Sequence, residues 1–297
     1  MKSLLVIGSS NTDMVIKTAR FPQPGETIIG GDFFMFAGGK GANQAVAAAR
    51  LGAKVNFICS VGDDVFGQNA LENYRKEGIG VDHAQVCVGE ASGIAMITVN
   101  QEGENEIVVA SGSNRWLGVD LLRAQQTALE EARLILTQLE TPVEGLTYLA
   151  KAYGEKLILN PAPAQALSAS ILTGIWLITP NETEASLLSG ITVKDVETAE
   201  QAAYKLLALG VQNVIVTLGA KGALFVNKEE SWLHPTVKVQ AIDTTAAGDV
   251  FNGALLVALD EGKSWKEAVA FACKAATFSV QTMGAQSSAP FRKDLVN

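Results

Sequence analysis

The chain has little from which a metal cage, a disulfide framework or a membrane span could be built. Its three cysteines, Cys59, Cys87 and Cys273, are far apart in 297 residues and show no C-x-x-C spacing, which argues against structural zinc and against disulfides. Histidine is scarcer still: His83 and His234 sit in no recognisable motif and receive no role. No apolar run approaches the roughly 20 residues of a membrane-spanning helix. The start M-K-S-L-L-V-I-G is too short for a signal peptide and lacks a cleavage region. Positive charge is also in deficit. With 23 basic against 31 acidic residues the net charge is −8, so neither nucleic acid nor a membrane surface is an expected partner. The expected setting is a reducing cytoplasm, and any phosphate bound by so acidic a protein must be neutralised locally.

What is present is a well-packed composition, 48% hydrophobic and 18% charged, with no repeat, low-complexity tract or long linker. Leu4 to Ile7 reads as a buried strand that delivers Ser9 to Asp13 to its end. A Gly- and Pro-rich stretch from Val15 to Phe36 carries strand-like pieces at Thr27 to Ile29 and Phe33 to Phe36, and Val86 to Ala110 lacks helical periodicity. These two excursions, near 14–36 and 86–112, are expected to pair in one small sheet beside a single main body spanning 1–297. Elsewhere strands at Val55 to Val61, Leu134 to Leu139, Leu157 to Asn160, Trp176 to Thr179 and Val214 to Leu218 alternate with helices, among them Leu117 to Ala132 and Trp265 to Thr282. That rhythm predicts an α/β fold, a doubly wound and mostly parallel sheet with helices on both faces. Ligands of such sheets bind beyond the carboxyl ends of the strands. Asn11, Asp13, Gln138, Glu140, Asn160, Thr179, Asn181 and Thr217 all follow strand ends, a supply of carboxylates and amides that suits a polyhydroxylated ligand.

Two glycine-rich stretches lead into helices. Asp243 to Leu255, D-T-T-A-A-G-D-V-F-N-G-A-L, places small residues before an apolar helical pattern, so Thr245 to Gly248 is an expected turn and the amides of Ala247 and Gly248 an expected anion cradle. Asp249 then stands in the first helical turn, either as a stabilising N-terminal acid or as a base acting on a hydroxyl that attacks a phosphoryl group. Gly38-Gly39-Lys40-Gly41-Ala42-Asn43 is neither a P-loop nor a dinucleotide fingerprint; its glycines suit a turn, which leaves Lys40 unexplained. Thr217 to Gly222 is a small-residue turn after a strand. Asn181 either caps the helix after Pro180 or faces a ligand, and Glu184 either completes a capping box or organises Mg2+ through water.

Two long motifs, G-G-K-G-A-N-Q-A-V-A-A-A-R-L-G (38–52) and D-T-T-A-A-G-D-V-F-N-G-A-L (243–255), together with N-T-D at Asn11, Q-L-E at Gln138, N-P-A-P-A at Asn160, P-N-E-T-E at Pro180 and G-A-Q-S-S at Gly284, resemble the ribokinase-like carbohydrate kinases over nearly the whole chain. The resemblance implies a sugar held by Asn11, Asp13, Gly39, Lys40, Asn43 and Glu140, with Asp249 as the base. It implies an anion hole at Ala247 and Gly248, ATP along Asn181, Thr217, Gly219 and Gly222, and Glu184 associated with Mg2+. A monovalent-cation loop, usually for K+, would draw on Asp243, Thr245, Ser279, Thr282, Gly284 and Ser288. Cys273 stands near the adenine, where the family more often has Asn or His. The implied reaction is ATP-dependent phosphorylation of D-ribose at its 5-hydroxyl, with fructose, deoxyribose or a nucleoside as rival acceptors and a non-catalytic sensor as the rival class. A small β-lid is implied, and with it a homodimer clasped through the lids.

Overall fold

The computed structural model describes residues 4–295. Fourteen strands are described: β1 (Leu4–Ile7), β2 (Asn11–Lys17), β3 (Asp32–Gly38), β4 (Val55–Ile58), β5 (Ser60–Gly62), β6 (Gln85–Cys87), β7 (Gly93–Val99), β8 (Asn105–Ala110), β9 (Ile135–Thr137), β10 (Leu157–Leu159), β11 (Leu177–Ile178), β12 (Asn213–Thr217), β13 (Ala223–Val226) and β14 (Ser231–His234). The α-helices are α1 (Lys40–Arg50), α2 (Val65–Lys76), α3 (Val119–Ala124), α4 (Gln126–Glu131), α5 (Val143–Tyr153), α6 (Ala169–Leu172), α7 (Glu182–Ser189), α8 (Val196–Ala208), α9 (Ala247–Asp260) and α10 (Trp265–Ser279).

Eight strands form the main sheet in the order β14-β13-β12-β11-β10-β9-β1-β4. All pairs from β12 to β4 are parallel, and β13 and β14 close one edge as an antiparallel hairpin. The central strands are buried on both faces, as an apolar run such as Leu4–Ile7 requires. One apolar cluster joins a face of the sheet to α1, α9 and α10; the other joins the opposite face to α5 and α8. Among the described residues no helix is long and apolar enough to cross a membrane.

A second sheet, β3-β2-β7-β8, forms the lid. The register pairs Asp13 with Phe36 and Ala95, so Asn11 and Asp13 share one lid face with Phe34, Phe36, Ile97 and Ile107. The opposite face carries Met14, Ile16, Phe33, Met35, Met96 and Val108, of which Phe33, Met35 and Val108 are more than half exposed.

Several expected boundaries shift. Asn11 and Asp13 lie on lid strand β2, not in a loop closing β1. Val55 to Val61 is two strands, β4 and β5, and β6 pairs with β5 in a separate two-stranded sheet, so the second segment of the lid begins only at Gly93. A turn at Gly89, with φ 76°, separates β6 from β7. Thr27 to Ile29 forms no strand: Pro22 and Pro24 lack amide donors, and Gly25, Gly30 and Gly31 adopt positive φ around it. The helix expected over Leu117 to Ala132 is two, because Gln125 turns out of the helical path (φ −101°, ψ 22°), where its Oε1 meets His83 Nδ1 at 2.7 Å. The last helix stops at Ser279 rather than Thr282 and gives way to turns up to Gly284, whose φ is 95°.

Candidate active site

The parallel strand order sets the polar strand-end residues in a row. Along β12, β11, β10, β9 and β1 their carboxyl ends present Thr217, then Thr179 and Asn181, then Asn160, then Gln138 and Glu140, then Ser9. Two helices cover this row. Helix α1 begins at Gly39, whose φ of 89° and whose closeness to Asn11, where a Cβ would lie 2.8 Å from the backbone nitrogen, leave room for glycine alone. Helix α9 lies against α1 through Gly253, where a Cβ would come within 2.7 Å of the Ala47 methyl. The alanines of α1 and this glycine let the two first turns approach one another.

At that meeting point Asp249, 5% exposed, is held from both sides. Asn43 Nδ2 donates to its Oδ2 at 2.9 Å and Gln44 Nε2 to its Oδ1 at 2.9 Å. Gln44 also donates to Asn160 Oδ1 at 3.0 Å and accepts from Gln138 Nε2 at 2.6 Å. Thr179 Oγ1 donates to Asn252 Oδ1 at 2.6 Å, and Asn252 Nδ2 donates to the Gly248 carbonyl at 2.8 Å. Asn43 Oδ1 is a buried acceptor with no partner among the described residues, an oxygen suited to a ligand hydroxyl.

Glu140 takes the position of an N-terminal acid for α1, a helix with no acid in its own first turn: it accepts from the Lys40 amide at 3.0 Å and from the Ser9 hydroxyl at 2.5 Å. Charges concentrate here. Burial pushes Asp13 up from its ordinary 3.8 to about 6, helped by the neighbouring carboxylates of Glu140 and Asp249 and opposed by Lys40. Burial likewise raises Asp249, against the pull of Lys40 and of the amides of Asn43 and Gln44. Burial alone would lower the Lys40 ammonium, but Asp249, Glu140, Glu184 and Asp13 together outweigh it and hold the group above its usual value. One half-buried cation thus serves four carboxylates.

Beside Asp249 opens a cleft of about 180 Å³, lined by Lys40, Asn181, Glu184, Thr217, Ala247 and Gly248 among others. Helix α9 enters it with no side-chain cap; its preceding residue, Ala246, is held at φ 58°, a left-handed conformation unusual for alanine. In the first turn the Val250 amide donates to the Ala246 carbonyl at 2.9 Å and the Ala247 amide makes a long 3.3 Å bond to the Thr244 carbonyl, while the Gly248 and Asp249 amides have no backbone acceptor among the described residues and carry the partial positive charge of the helix start. A Cβ on Gly248 would meet nothing within 4 Å, so the space in front of the helix start is open. Glu184 is buried and both its oxygens are engaged in the capping box, accepting from the Asn181 amide at 2.9 Å and from Asn181 Nδ2 at 3.0 Å. Among the described residues no cluster of His, Cys, Asp or Glu could cage a metal.

The remaining expected residues divide. Gly219 is exposed, with open space where a Cβ would stand. Gly222 does not line the cleft beside Asp249; its φ of 104° and the closeness of the His234 carbonyl make it a requirement of the β12–β13 turn. Cys273, 6% exposed with its thiol pushed by burial to about 12, lines a larger apolar cleft of about 390 Å³ together with Val237, Ala270, Thr277 and Phe278. Asp243 joins the two segments of the expected cation loop, accepting from the Thr245 amide at 2.9 Å and the Gly284 amide at 2.8 Å. The buried Ser279 and Ser288 hydroxyls donate to the carbonyls of Ala276 and Ala285, both at 2.9 Å. The Thr282 amide donates to the Ser279 carbonyl at 3.1 Å. Gln44 and Asn252 escaped the sequence reading because both look like ordinary polar residues of a helix; the only available signal was their spacing of one and three residues from Asn43 and Asp249.

Comparison with known proteins identifies the family. The sequence profile described as pfkB family carbohydrate kinase matches residues 1–292. A ribokinase of Haemophilus influenzae is 46% identical over 296 residues, which is 99% of this chain and 97% of that protein. A ribokinase structure from Thermotoga maritima is 44% identical with a TM-score of 0.92, over 99% of this chain and 98% of that one. An Arabidopsis thaliana ribokinase, solved with ribose and ATP, is 33% identical with a TM-score of 0.92, over 99% and 97% of the two chains. Sequence motifs, sheet order and the helix-start cradle converge with these matches: the chain belongs to the pfkB family of carbohydrate kinases.

Proposed function

We propose that this protein transfers the γ-phosphoryl group of ATP to the 5-hydroxyl of D-ribose, giving ribose 5-phosphate and ADP. The observation that carries the reading is the placement of a buried carboxylate, Asp249, directly beside the open amide cradle at the start of α9, with sugar-suited polar groups on its other side. The relatives' activity and the ribose and ATP of the Arabidopsis structure support the choice of substrates.

In this scheme Asn11, Asp13, Asn43 and Glu140 hold the sugar hydroxyls, and the turn at Gly39 brings the α1 backbone to them. The amides of Asn43 and Gln44 aim the Asp249 carboxylate at the 5-hydroxyl, whose proton it receives as the oxygen attacks. A loose phosphoryl-transfer transition state asks for position and positive potential more than for a strong base. The α9 amides of Ala247 and Gly248 and the Lys40 ammonium supply that potential in a protein of net charge −8. ATP extends past Asn181, Thr217 and Gly219 toward the apolar cleft at Cys273, where the base lies. Mg2+ when bound supplies further neutralisation of the phosphates; Glu184, already committed to Asn181, fits contact through water. The Asp243, Thr245, Ser279, Thr282, Gly284 and Ser288 segment offers oxygen donors that fit K+, since the serine hydroxyls spend their protons on backbone carbonyls and keep lone pairs. The lid closes over the sugar and excludes water, the competing acceptor. Its outer face of Met14, Ile16, Phe33, Met35, Met96 and Val108 is the surface on which a homodimer would clasp. The absence of a described membrane-spanning helix fits a cytoplasmic enzyme.

The deciding experiment is steady-state turnover of ATP over D-ribose, 2-deoxyribose, fructose and adenosine, each with and without K+ at constant ionic strength. Ribose should show the highest kcat/KM. A clear preference for another acceptor would replace it as substrate, and absence of turnover on every sugar would leave a binding protein.

A further inference from the structure

The lid joins the body where several chain segments cross. The body strand β1 passes into β2 through Ser9 and Ser10, and β8 returns to the body through the 3-10 turn Gly112–Trp116. Asn114, in that turn and 1% exposed, makes three side-chain hydrogen bonds at the crossing. Its Oδ1 accepts from the Ser10 amide at 2.9 Å, while its Nδ2 donates to the Ser10 carbonyl at 3.1 Å and to Asn11 Oδ1 at 2.8 Å. Neighbouring bonds dock the turn: the Ser113 amide donates to the Ala91 carbonyl at 2.8 Å and its hydroxyl to the Ser60 carbonyl at 2.9 Å. Gly93 lies against the Asn11–Asn114 bond so closely that a Cβ there would overlap both side chains.

The chemistry of these bonds allows one orientation only. The Ser10 amide needs an acceptor and the Ser10 carbonyl needs a donor, so the backbone dictates which end of the Asn114 carboxamide faces which group. The second hydrogen on Asn114 Nδ2 then requires an acceptor, and only the Oδ1 end of Asn11 provides it. Among the described residues Asn11 Nδ2 has no acceptor, so a donor is the polar function Asn11 has left to offer a ligand.

We propose that Asn114 is a positioning residue for the sugar: it locks the Asn11 carboxamide so that Nδ2 is presented as a donor to a sugar oxygen, and it ties that presentation to the crossing between body and lid at Ser10. The inference rests on the reading of Asn11 as a sugar contact. Its consequence is a division of labour in which Asn114, without touching substrate, sets sugar affinity and leaves the nucleotide end untouched.

Asn114→Asp tests it. The aspartate keeps the acceptor for the Ser10 amide but turns a carboxylate oxygen toward the Ser10 carbonyl and Asn11 Oδ1, which drives the Asn11 carboxamide to flip. Asn114→Ser, smaller and uncharged, frees Asn11 without that repulsion. The expected result is a rise in ribose KM of about tenfold for Asn114→Asp and less for Asn114→Ser, with ATP KM changed less than about twofold. Thermal melts identify variants that fold, and Asn114→Ser decides if Asn114→Asp does not. Equal changes in ribose and ATP KM, or an unchanged ribose KM in a folded variant, would overturn the positioning role. Asn11→Ala is measured alongside: a raised ribose KM there with no effect at Asn114 rejects the inference alone, whereas an unchanged KM rejects Asn11 as a sugar contact and the inference with it.

Discussion

The two ends of the site are built on opposite plans. At the sugar end Asn43, Gln44, Gln138 and Asn160 are bonded to one another or to Asp249, and Lys40 is surrounded by four carboxylates. At the far end the cleft around Cys273 is larger and mostly apolar, and two of its hydroxyls, Thr236 and Thr277, satisfy each other at 2.7 Å. Directional hydrogen bonds reject an analogue lacking a partner far more strongly than apolar walls reject one of altered shape. On the proposed reading the sugar end would therefore be the discriminating end, with the nucleotide gripped by its phosphates at the α9 amides.

The sharpest way to break this comparison is at the junction of the two ends. Asp249→Asn preserves shape yet removes the proton acceptor, and should lower kcat by about a hundredfold or more with the melting temperature little changed; near-normal turnover at saturating substrates would remove Asp249 as the base. Gly248→Val places a side chain in the open space before α9, where packing offers no objection. It should cost on the order of tens-fold in kcat/KM for ATP while ribose KM holds. A loss falling on ribose instead would put the anion cradle elsewhere.

Within the sugar end, Asp13 gives a pH signature. Below about 6 its carboxyl is protonated and poorer as an acceptor, so kcat/KM for ribose should rise as pH increases through that value. Asp13→Asn should abolish the inflection and lower the plateau by about tenfold, the worth of a hydrogen bond to a charged group. Because the folded value stands above 3.8, the free protein binds this proton more tightly than the unfolded chain does. The contribution of Asp13 to stability therefore falls as pH rises from 3.8 to about 6, and melts of Asp13→Asn should lack that component. The smallest effect is expected at the other end: replacing ATP by GTP should change kcat/KM by about fivefold or less. A much larger penalty would reveal directional base recognition that the Cys273 cleft does not suggest.

Much of this was legible because glycine-rich helix starts and strand-end amides leave local marks. The turn before Ala247, the helix behind it and the polar edge of the sheet follow from periodicity and small-residue spacing. Asn114 and Gln44 left no such mark. Asn114 lies 103 positions from Asn11, and Gln44 is 205 from Asp249; apart from the position of Gln44 next to Asn43, nothing in their neighbourhoods distinguishes them from residues of a solvated turn or helix. The misplaced β6 has the same cause: Val86 to Val88 reads as a strand, but the pairing of the strand that forms there, Gln85–Cys87, with β5 and not with the lid is long-range. Glu184 shows the converse, since its capping box is local and could be read, whereas its burial beside Lys40 could not.

By itself, then, the sequence determined the fold class, through the strand-helix alternation along the chain, and the kinase motifs and the identity of Asp249 as the residue to explain, through backbone geometry and spacing within short segments. Only the tertiary structure decided how Asp249 is held, which carboxylates share Lys40, and that Asn114 orients Asn11. Those are properties of side chains from distant segments, brought together by the close α1–α9 packing at Gly253 and by the lid crossing at Ser10, and no local pattern encodes them.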